Sequence, residues 1–573
     1  MPILATSDKA PSPVKTKPDL FISRPALRLG FWGVGIFLAA TQAWIRRYDV
    51  SADSISYLDM SDAVMPGGDW HRLINGVWSP LYPFLLGLFR RLLHVSAKQE
   101  IAFGHLWNIL IFAFAFVCFE YLVSTVASIV DVPSPEEGDH RPLPAWMYFS
   151  IAYALFLWGA ISQISLIFLR ADMLMSGFLY LAVAMLCGMW RAPARWSRFM
   201  ALGAVLGIGY LAKAPMLPIG ILILAASLLM VENWRPALKM VLASGALMLV
   251  VGSLYFVPLS FERKHLTLGE SSTFNYVVFV NGVGPHWYLQ NLGSARGAFL
   301  RTPEKILSEP PAYWFAIPLP ITHPLRFDPA YWTQGVRPRV TLSRQWRAVM
   351  TNSRTLRNSL SNLFIAGIAV LVLAVLAGNT KKIRISVMKL WPIWLIGLAG
   401  CAMYLLINIE PRYVGAFLVL LWFGLLAGFS LPPGHGRKIG LLITVALVFT
   451  LLRFTWRQAS APAGGGQSNQ DFEAAQQLER LGLRAGDRVA RIGSGGLLDM
   501  GVERVLRVQI AGEVDFTSAS DFWALPLRNQ QDLLHVFSTR GAEAVIATNP
   551  SLRDDNRAEW QRLGTTRYWV WRP

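Results

Sequence analysis

Apolar runs near 20 residues recur along this chain, and no other feature restricts its fold as strongly. They fall at roughly 26–45, 101–123, 145–163, 168–190, 197–212, 214–231, 237–257, 360–377, 386–407, 413–431 and 437–456. A helix of about 20 apolar residues crosses the roughly 30 Å hydrocarbon core of a bilayer. In hydrocarbon every backbone N–H and C=O must be satisfied inside protein, so such runs fold as helices. The expected fold is therefore an all-α polytopic membrane protein with about eleven crossings. Composition agrees: 54% of the 573 residues are hydrophobic and 15% charged, against about 25% charged in soluble domains.

Charge sets the orientation. Basic residues cluster in four loops, at Arg191/Arg195/Arg198, Arg235/Lys239, Lys381/Lys382/Arg384 and Arg437/Lys438. The positive-inside rule places these loops and the N-terminal tail in the cytoplasm. The net charge of +18 then belongs to cytoplasmic loops, and no nucleic-acid partner is expected. The apolar segment 79–95 is short and is interrupted by Arg90-Arg91. Counting it as a crossing would turn the 191–198 loop outward, so it is expected to lie along the outer interface. The result is a multi-pass protein of the cytoplasmic (inner) membrane, N-terminus in and C-terminus out.

The expected organisation is a basic cytoplasmic tail (1–25), a transmembrane domain (26–457), a linker (458–466) and an extracytoplasmic α/β domain (467–573). The transmembrane domain carries a first outer loop (46–100) and a large outer loop (258–358). The first apolar run lacks a small-residue cleavage site and reads as an uncleaved anchor. Within the α/β domain, helices are expected near 470–482 and 527–540, with strands at Arg488–Ile492, Ala544–Ala547 and near Arg567–Trp571. Cys118, Cys187 and Cys401 lie in apolar runs without pair spacing, so neither disulfides nor a zinc site is indicated.

Ionisable groups at a membrane edge are costly and tend to face a functional cavity. With this topology Asp49, Asp53, Asp59, Asp62, Asp69, Arg170, Asp172, Lys213, Glu410 and Arg412 all lie at the outer face. Gathered there, they suit a site for an anionic lipid-linked substrate. Each has an ordinary alternative. Asp53 precedes a helix at 54–64 and would serve as its N-cap. Asp172 would cap the next span and pair with Arg170. Lys213 would snorkel from a helix end, and Arg412 with Tyr413 would anchor a span at the interface. His286, Trp287, Tyr288, His323, Arg326 and Asp328 in the large loop suit sugar or lipid contact, or simply a packed subdomain. No HExxH or CxxC motif supports a metal, and Gly493-Ser494-Gly495-Gly496 is not a GxGxxG sequence.

These residues in this order resemble the GT-C membrane glycosyltransferases, in particular the protein mannosyltransferase and lipid A aminoarabinose transferase group. The likeness rests on Asp53 and Tyr57, Gly67-Gly68-Asp69-Trp70, Trp78-Ser79-Pro80-Leu81-Tyr82-Pro83, Arg170-Ala171-Asp172, Lys213 before a proline, and Glu410-Pro411-Arg412-Tyr413. It covers roughly 26–456. The resemblance implies Asp53 as catalytic base with Asp172 as the second acidic position. It implies substrate contacts from Tyr57, Tyr82, Arg170, Lys213, Arg412 and Tyr413. Ser54 stands where many relatives have Glu, which removes a metal or substrate ligand. Trp78-Ser79 stands where the family has a basic residue, and Arg72 is the upstream substitute.

The implied activity is transfer of a hexosyl or pentosyl group from a polyprenyl-phosphate donor to a lipid, glycan or protein acceptor at the outer face. No cofactor is required by any motif, and a divalent metal has no motif behind it. Two other classes compete. A lipid-linked-sugar transporter or flippase would show midplane charges and inverted repeats, and no repeat is present. A non-enzymatic anchor for the C-terminal domain would leave Asp53 without a role.

Overall fold

The computed structural model describes residues 24–130, 141–142, 144–282, 303–315, 321–324, 338–361, 363, 367–368, 372, 388–427, 430–431, 435–461, 467–493, 500–514, 519–548, 550 and 559–573. Helices occupy ten of the expected runs: α1 (Arg24–Ile45), α4 (Glu100–Val130), α5 (Ala145–Leu157), α6 (Asp172–Cys187), α7 (Trp196–Ala212), α8 (Met216–Met230), α9 (Trp234–Arg263), α12 (Trp391–Leu405), α13 (Pro411–Leu426) and α14 (His435–Ala459). Between them lie α2 (Ala52–Ser61), α3 (Leu81–Leu92), α10 (Ser271–Asn275) and α11 (Leu342–Ser361). Most of 360–377 lies outside the described residues, as do the 381–384 loop, His286, Trp287, Tyr288, Arg326, Asp328 and residues 494–496.

Among the described residues, five segments are long and apolar enough to cross a bilayer: Arg24–Ile45, Ala97–Ile129, Ala145–Ile164, Trp234–Arg263 and Gly440–Ala459. The helices α6, α7, α8, α12 and α13 have 15–17 residues, about 22–26 Å by helical rise. They stop short of the full hydrocarbon thickness, so their polar ends need protein around them. Close backbone approach sets α12 against α13. A Cβ on Gly397 would lie 2.6 Å from both the Phe417 carbonyl oxygen and the Leu421 nitrogen. Only glycine fits there, as in other small-residue helix contacts in membranes.

Beyond Leu157, α5 winds into a π-helix (Trp158–Ile164) that ends at Ser165 with φ 61°. Gln42 of α1 repairs this unwound end. Its amide donates to the Ile161 carbonyl at 3.3 Å, and its Oε1 accepts from the Leu166 N–H at 2.7 Å. The first loop packs beside it. The 12 residues of α3 span about 18 Å, too short to cross. Tyr82, Leu86 and Arg90 are buried at i, i+4 and i+8, one stripe of the helix. Gly87 lets α3 sit on the end of α2, since a Cβ there would lie 2.3 Å from the Ser61 carbonyl oxygen.

The C-terminal helices are α15 (Gln467–Arg480), α16 (Gly501–Leu506), α17 (Ala519–Ala524) and α18 (Leu527–Thr539). They accompany a seven-stranded mixed sheet of order β2-β3-β6-β5-β7-β9-β8. The strands are β2 (Glu304–Leu307), β3 (Ala312–Trp314), β5 (Arg488–Gly493), β6 (Gln509–Val514), β7 (Ala544–Thr548), β8 (Gln561–Arg562) and β9 (Tyr568–Trp571); β1 (Arg141–Pro142) and β4 (Ser430–Leu431) form a separate pair. The central β5 runs parallel to β6 and β7, and the other pairings are antiparallel. The three strands expected from the sequence are present. The sheet also takes β2 and β3 from the large loop, so that loop and the C-terminal domain form one sheet. His323, in the same loop, is buried there, with Nε2 3.3 Å from Glu513 Oε2.

Candidate active site

Four chain segments bring their polar ends together at one end of the helix bundle. Asp53 is the second residue of α2, Asp172 opens α6, Lys213 follows α7, and Arg412 is the second residue of α13. Arg412 is the hub. Its Nη2 donates to Asp53 Oδ2 at 3.0 Å and to the Tyr413 hydroxyl at 3.0 Å. Its Nε donates to Glu410 Oε2 at 2.6 Å, and its Nη1 lies 3.6 Å from Asp172 Oδ2. Lys213 Nζ pairs with Asp172 Oδ1 and stands 4.4 Å from the centre of the Tyr413 ring. Tyr404 stacks on the Tyr413 ring, with centroids 5.2 Å apart. The fork of a guanidinium suits several acceptors at once, where an ammonium could serve only as a point charge.

Burial differs across the cluster. The Asp172 side chain is 3% exposed, Arg412 11%, Lys213 18% and Asp53 22%. Asp172 is thus a fixed counter-charge inside the protein, while Asp53 reaches the accessible side. Neither aspartate is a helix cap. Ser51 caps α2: its side chain accepts from the Ser54 N–H, and the Ser54 hydroxyl accepts from the Ser51 N–H. Ala171 occupies the N-cap of α6, and no side chain bonds there. The capping alternative for both residues is therefore set aside. Ser54 has a second task, accepting the Leu169 N–H at 3.2 Å. That bond ties the start of α2 to the segment leading into Asp172.

The expected Arg170–Asp172 ion pair is not formed; Asp172 pairs with Lys213 and Arg412 instead. The Arg170 guanidinium lies 4.6 Å from the Phe168 ring centre, and its Nε is buried without a hydrogen-bond partner. Among the described residues no carboxylate lies within 4.0 Å of it, yet it feels the charges of Arg412, Asp53, Asp172 and Glu410. It is a cation beside the cluster without a carboxylate of its own.

Tyr57 of α2 and Tyr82 of α3 meet edge to face, with ring centres 5.0 Å apart. Burial first, then the charges of Asp172 and Asp53, push the Tyr57 phenol well above its ordinary range, so it stays a neutral donor. The Tyr82 hydroxyl donates to Asn108 Oδ1 at 2.9 Å, and Asn108 Nδ2 donates to the Phe168 carbonyl at 3.0 Å. Tyr82 is fully buried and acts on the 168–172 segment through Asn108. His105 bridges the same region, its nitrogens 3.1 Å from the Leu166 carbonyl and 3.0 Å from the Asp49 carbonyl.

Arg72 is placed elsewhere. Its Nη1 is 3.9 Å from Asp62 Oδ2, within a second ionic cluster at the far end of α2. Asp59 and Asp62 belong to that cluster as well. Asp49 pairs with Arg46 at 2.9 Å, and Asp69 with His71 at 2.9 Å. The Asn108 and His105 supports and the Tyr404 stack were not anticipated. They sit inside apolar runs, where a polar side chain with no charge leaves little trace in a hydropathy pattern.

No protein-family model matches the chain, and no curated protein matches it. Among solved structures, ArnT from Cupriavidus metallidurans in the apo state is similar over 95% of this chain and 98% of that one, at 12% identity and TM-score 0.42. The same protein bound to undecaprenyl phosphate is similar over 96% of this chain and 98% of that one, at 12% identity and TM-score 0.43. An oligosaccharyltransferase from Archaeoglobus fulgidus is similar over 90% of this chain and 68% of that one, at 12% identity and TM-score 0.42.

Proposed function

We propose that this protein is a membrane glycosyltransferase that moves a sugar from a polyprenyl-phosphate donor to an acceptor hydroxyl at the outer face of the cytoplasmic membrane. One observation carries the reading: Asp53, the more accessible of the two aspartates, is held by Arg412 in a cluster with Lys213, beside Arg170, which has no carboxylate within 4.0 Å among the described residues. A carboxylate base and several cations at a single membrane edge match the two demands of the reaction.

The step is a single displacement. Asp53 takes the proton of the acceptor hydroxyl, and the acceptor oxygen attacks the anomeric carbon. The bond from that carbon to the phosphate oxygen breaks, and its electron pair leaves with the polyprenyl phosphate. Charge develops on that phosphate, where Arg170, Arg412 and Lys213 stabilise it. Arg412 touches both Asp53 and Asp172 and thereby fixes the distance between base and cations. Asp172 keeps Lys213 and Arg412 in place without reaching solvent. No nucleotide is needed, since the donor already carries its leaving group.

The reading predicts inversion at the anomeric carbon. The full-length protein in lipid would be incubated with a polyprenyl-phosphate sugar and an envelope acceptor, and the product's anomeric configuration read by NMR. A product opposite to the donor is expected. Retained configuration, or no transfer from any polyprenyl-phosphate sugar, would overturn the proposal.

A further inference from the structure

The C-terminal domain meets the first loop through one buried ion cluster. Arg504, on α16, is 3% exposed, and all of its N–H groups are taken by carboxylates of the other part. Nη1 donates to Asp59 Oδ1 at 2.7 Å and to Asp62 Oδ2 at 2.8 Å. Nη2 donates to Asp62 Oδ1 at 3.1 Å and to Glu100 Oε2 at 2.8 Å, and Nε to Glu100 Oε1 at 2.7 Å. Arg90 of α3 backs the same acids, bonding Asp62 Oδ1 at 3.0 Å and pairing with Glu100. Arg507 sits at the rim, 30% exposed, with Nη2 2.7 Å from Glu100 Oε2. Leaving such buried acids without their cation is strongly unfavourable, so the contact fixes one geometry.

The acids in this cluster belong to the helix that carries Asp53. Asp59 lies in the last turns of α2 and Asp62 is its C-cap. Six residues from Asp53 to Asp59 are about 9 Å of helix. The helix is a short strut with its first turn among Arg412 and Asp172 and its last turn on Arg504. At its start it is pinned by the Ser51–Ser54 cap and by Ser54 accepting the Leu169 N–H.

We propose that Arg504 is a positioning residue: through α2, the docked C-terminal domain sets where the Asp53 carboxylate stands against Arg412. This rests on the reading of Asp53 as the base. Arg504 touches no substrate; it acts by the placement of another residue. Displacing a reacting group by about 1 Å can cost roughly 100-fold in rate.

The test uses the full-length chain in membranes and two readouts, one of them independent of activity. In the first, Asp53→Cys supplies a thiol at the position of interest; the native Cys118, Cys187 and Cys401 are buried. Its labelling rate with a membrane-impermeant maleimide is compared with and without Arg504→Gln. In the second, kcat and KM for a polyprenyl-phosphate sugar are measured for Arg504→Gln on the wild-type background. The expected results are a several-fold change in labelling rate, and a kcat lowered roughly 10- to 100-fold with little change in KM. Lys98→Gln is the control: Lys98 pairs with Glu479 at 2.9 Å across the same two parts, but both side chains are about half exposed, and neither readout should move. Arg507→Gln gives a smaller shift in the same direction and keeps the test open should Arg504→Gln fail to fold. Unchanged labelling in a folded Arg504→Gln protein overturns the proposal, as does an equal change in Lys98→Gln. A labelling change without a fall in kcat leaves the mechanical link standing and removes Asp53 as the base.

Discussion

Replacing Arg412 by Lys keeps the charge and removes the fork, which isolates what the hub geometry contributes. The guanidinium serves Asp53, Glu410 and the Tyr413 hydroxyl by hydrogen bonds and faces Asp172 at 3.6 Å. One ammonium nitrogen cannot span these acceptors. At least two charge-assisted bonds are lost, each about 1.5–3 kcal/mol when a partner is left unmade. Asp53 and Glu410 are 22% and 38% exposed, so water recovers part of this, leaving about 2–4 kcal/mol. If that loss falls on the transition state, transfer slows roughly 30- to 1,000-fold. The assay is release of free polyprenyl phosphate by purified protein in lipid, with thermal unfolding as a check on folding. Transfer by Arg412→Lys within about threefold of wild type, with Arg412→Gln inactive, would show that a point charge suffices and that the bridging geometry has no part in the rate.

Arg170→Gln should weaken binding of polyprenyl phosphate by roughly 10- to 100-fold with little effect on melting, because among the described residues no carboxylate pairs with it; an unchanged affinity in a lipid-binding titration would remove Arg170 from the phosphate site. Asp59→Asn and Asp62→Asn should differ sharply in protease resistance of the docked C-terminal domain. An Asn oxygen at 59 still accepts from Arg504 and from the Thr322 hydroxyl, each at 2.7 Å, and its amide loses only the long 3.3 Å bond that Oδ2 accepts from the Thr322 N–H, for a cost of about 1–2 kcal/mol. At 62 both oxygens face guanidinium groups, so the amide must turn toward a cation, at about 3–5 kcal/mol. The same pair sets the acid limit. Burial pushes Asp59 up, so its ionised form is a cost that mild acid relieves. Burial would also raise Asp62, but Arg504, with Arg90 and Arg507, holds it well below its ordinary 3.8. Its contribution is full above about 3.8 and erodes progressively as the pH falls below that toward the depressed folded value, so docking should persist at about pH 4 and weaken only in stronger acid; loss of docking at pH 5–6 would contradict this. Gly397→Ala should destabilise the α12–α13 crossing that carries Arg412, by about 1–3 kcal/mol, since backbone atoms 2.6 Å away cannot yield; a wild-type melting temperature would refute the close approach.

Much of the helical plan was legible because burial in lipid leaves a direct mark: long apolar runs, ended by charge. The same marks pointed to Asp53, Asp172, Lys213 and Arg412, each close to one end of a run, and loop charge predicted a common face for them. Local sequence could not choose the cap of α2, since Ser51 and Asp53 are both good capping residues. The Ser51–Ser54 spacing was the available signal. Arg504 left no signal, because its partner Asp62 is 442 positions away and nothing in a helix of only six residues marks an arginine as buried. The strands β2 and β3 were equally hidden. They are short, and their sheet partner β6 lies in another region of the chain, so their pairing is a tertiary fact. The Arg170–Asp172 pair suggested by adjacency did not form because Lys213 and Arg412, distant in sequence, reach Asp172 first in space.

The central claim is that Asp53 removes the acceptor proton and is not simply a ligand for Arg412. It is tested most directly by Asp53→Asn, which keeps the shape and an oxygen for the Arg412 Nη2 bond while removing basicity. Polyprenyl-phosphate binding and sugar transfer should be measured on the same preparation of the full-length protein. The account predicts donor affinity within a few-fold of wild type, with transfer lowered at least about 100-fold, the lower end of what general-base catalysis supplies. Transfer by Asp53→Asn at the wild-type rate would contradict it.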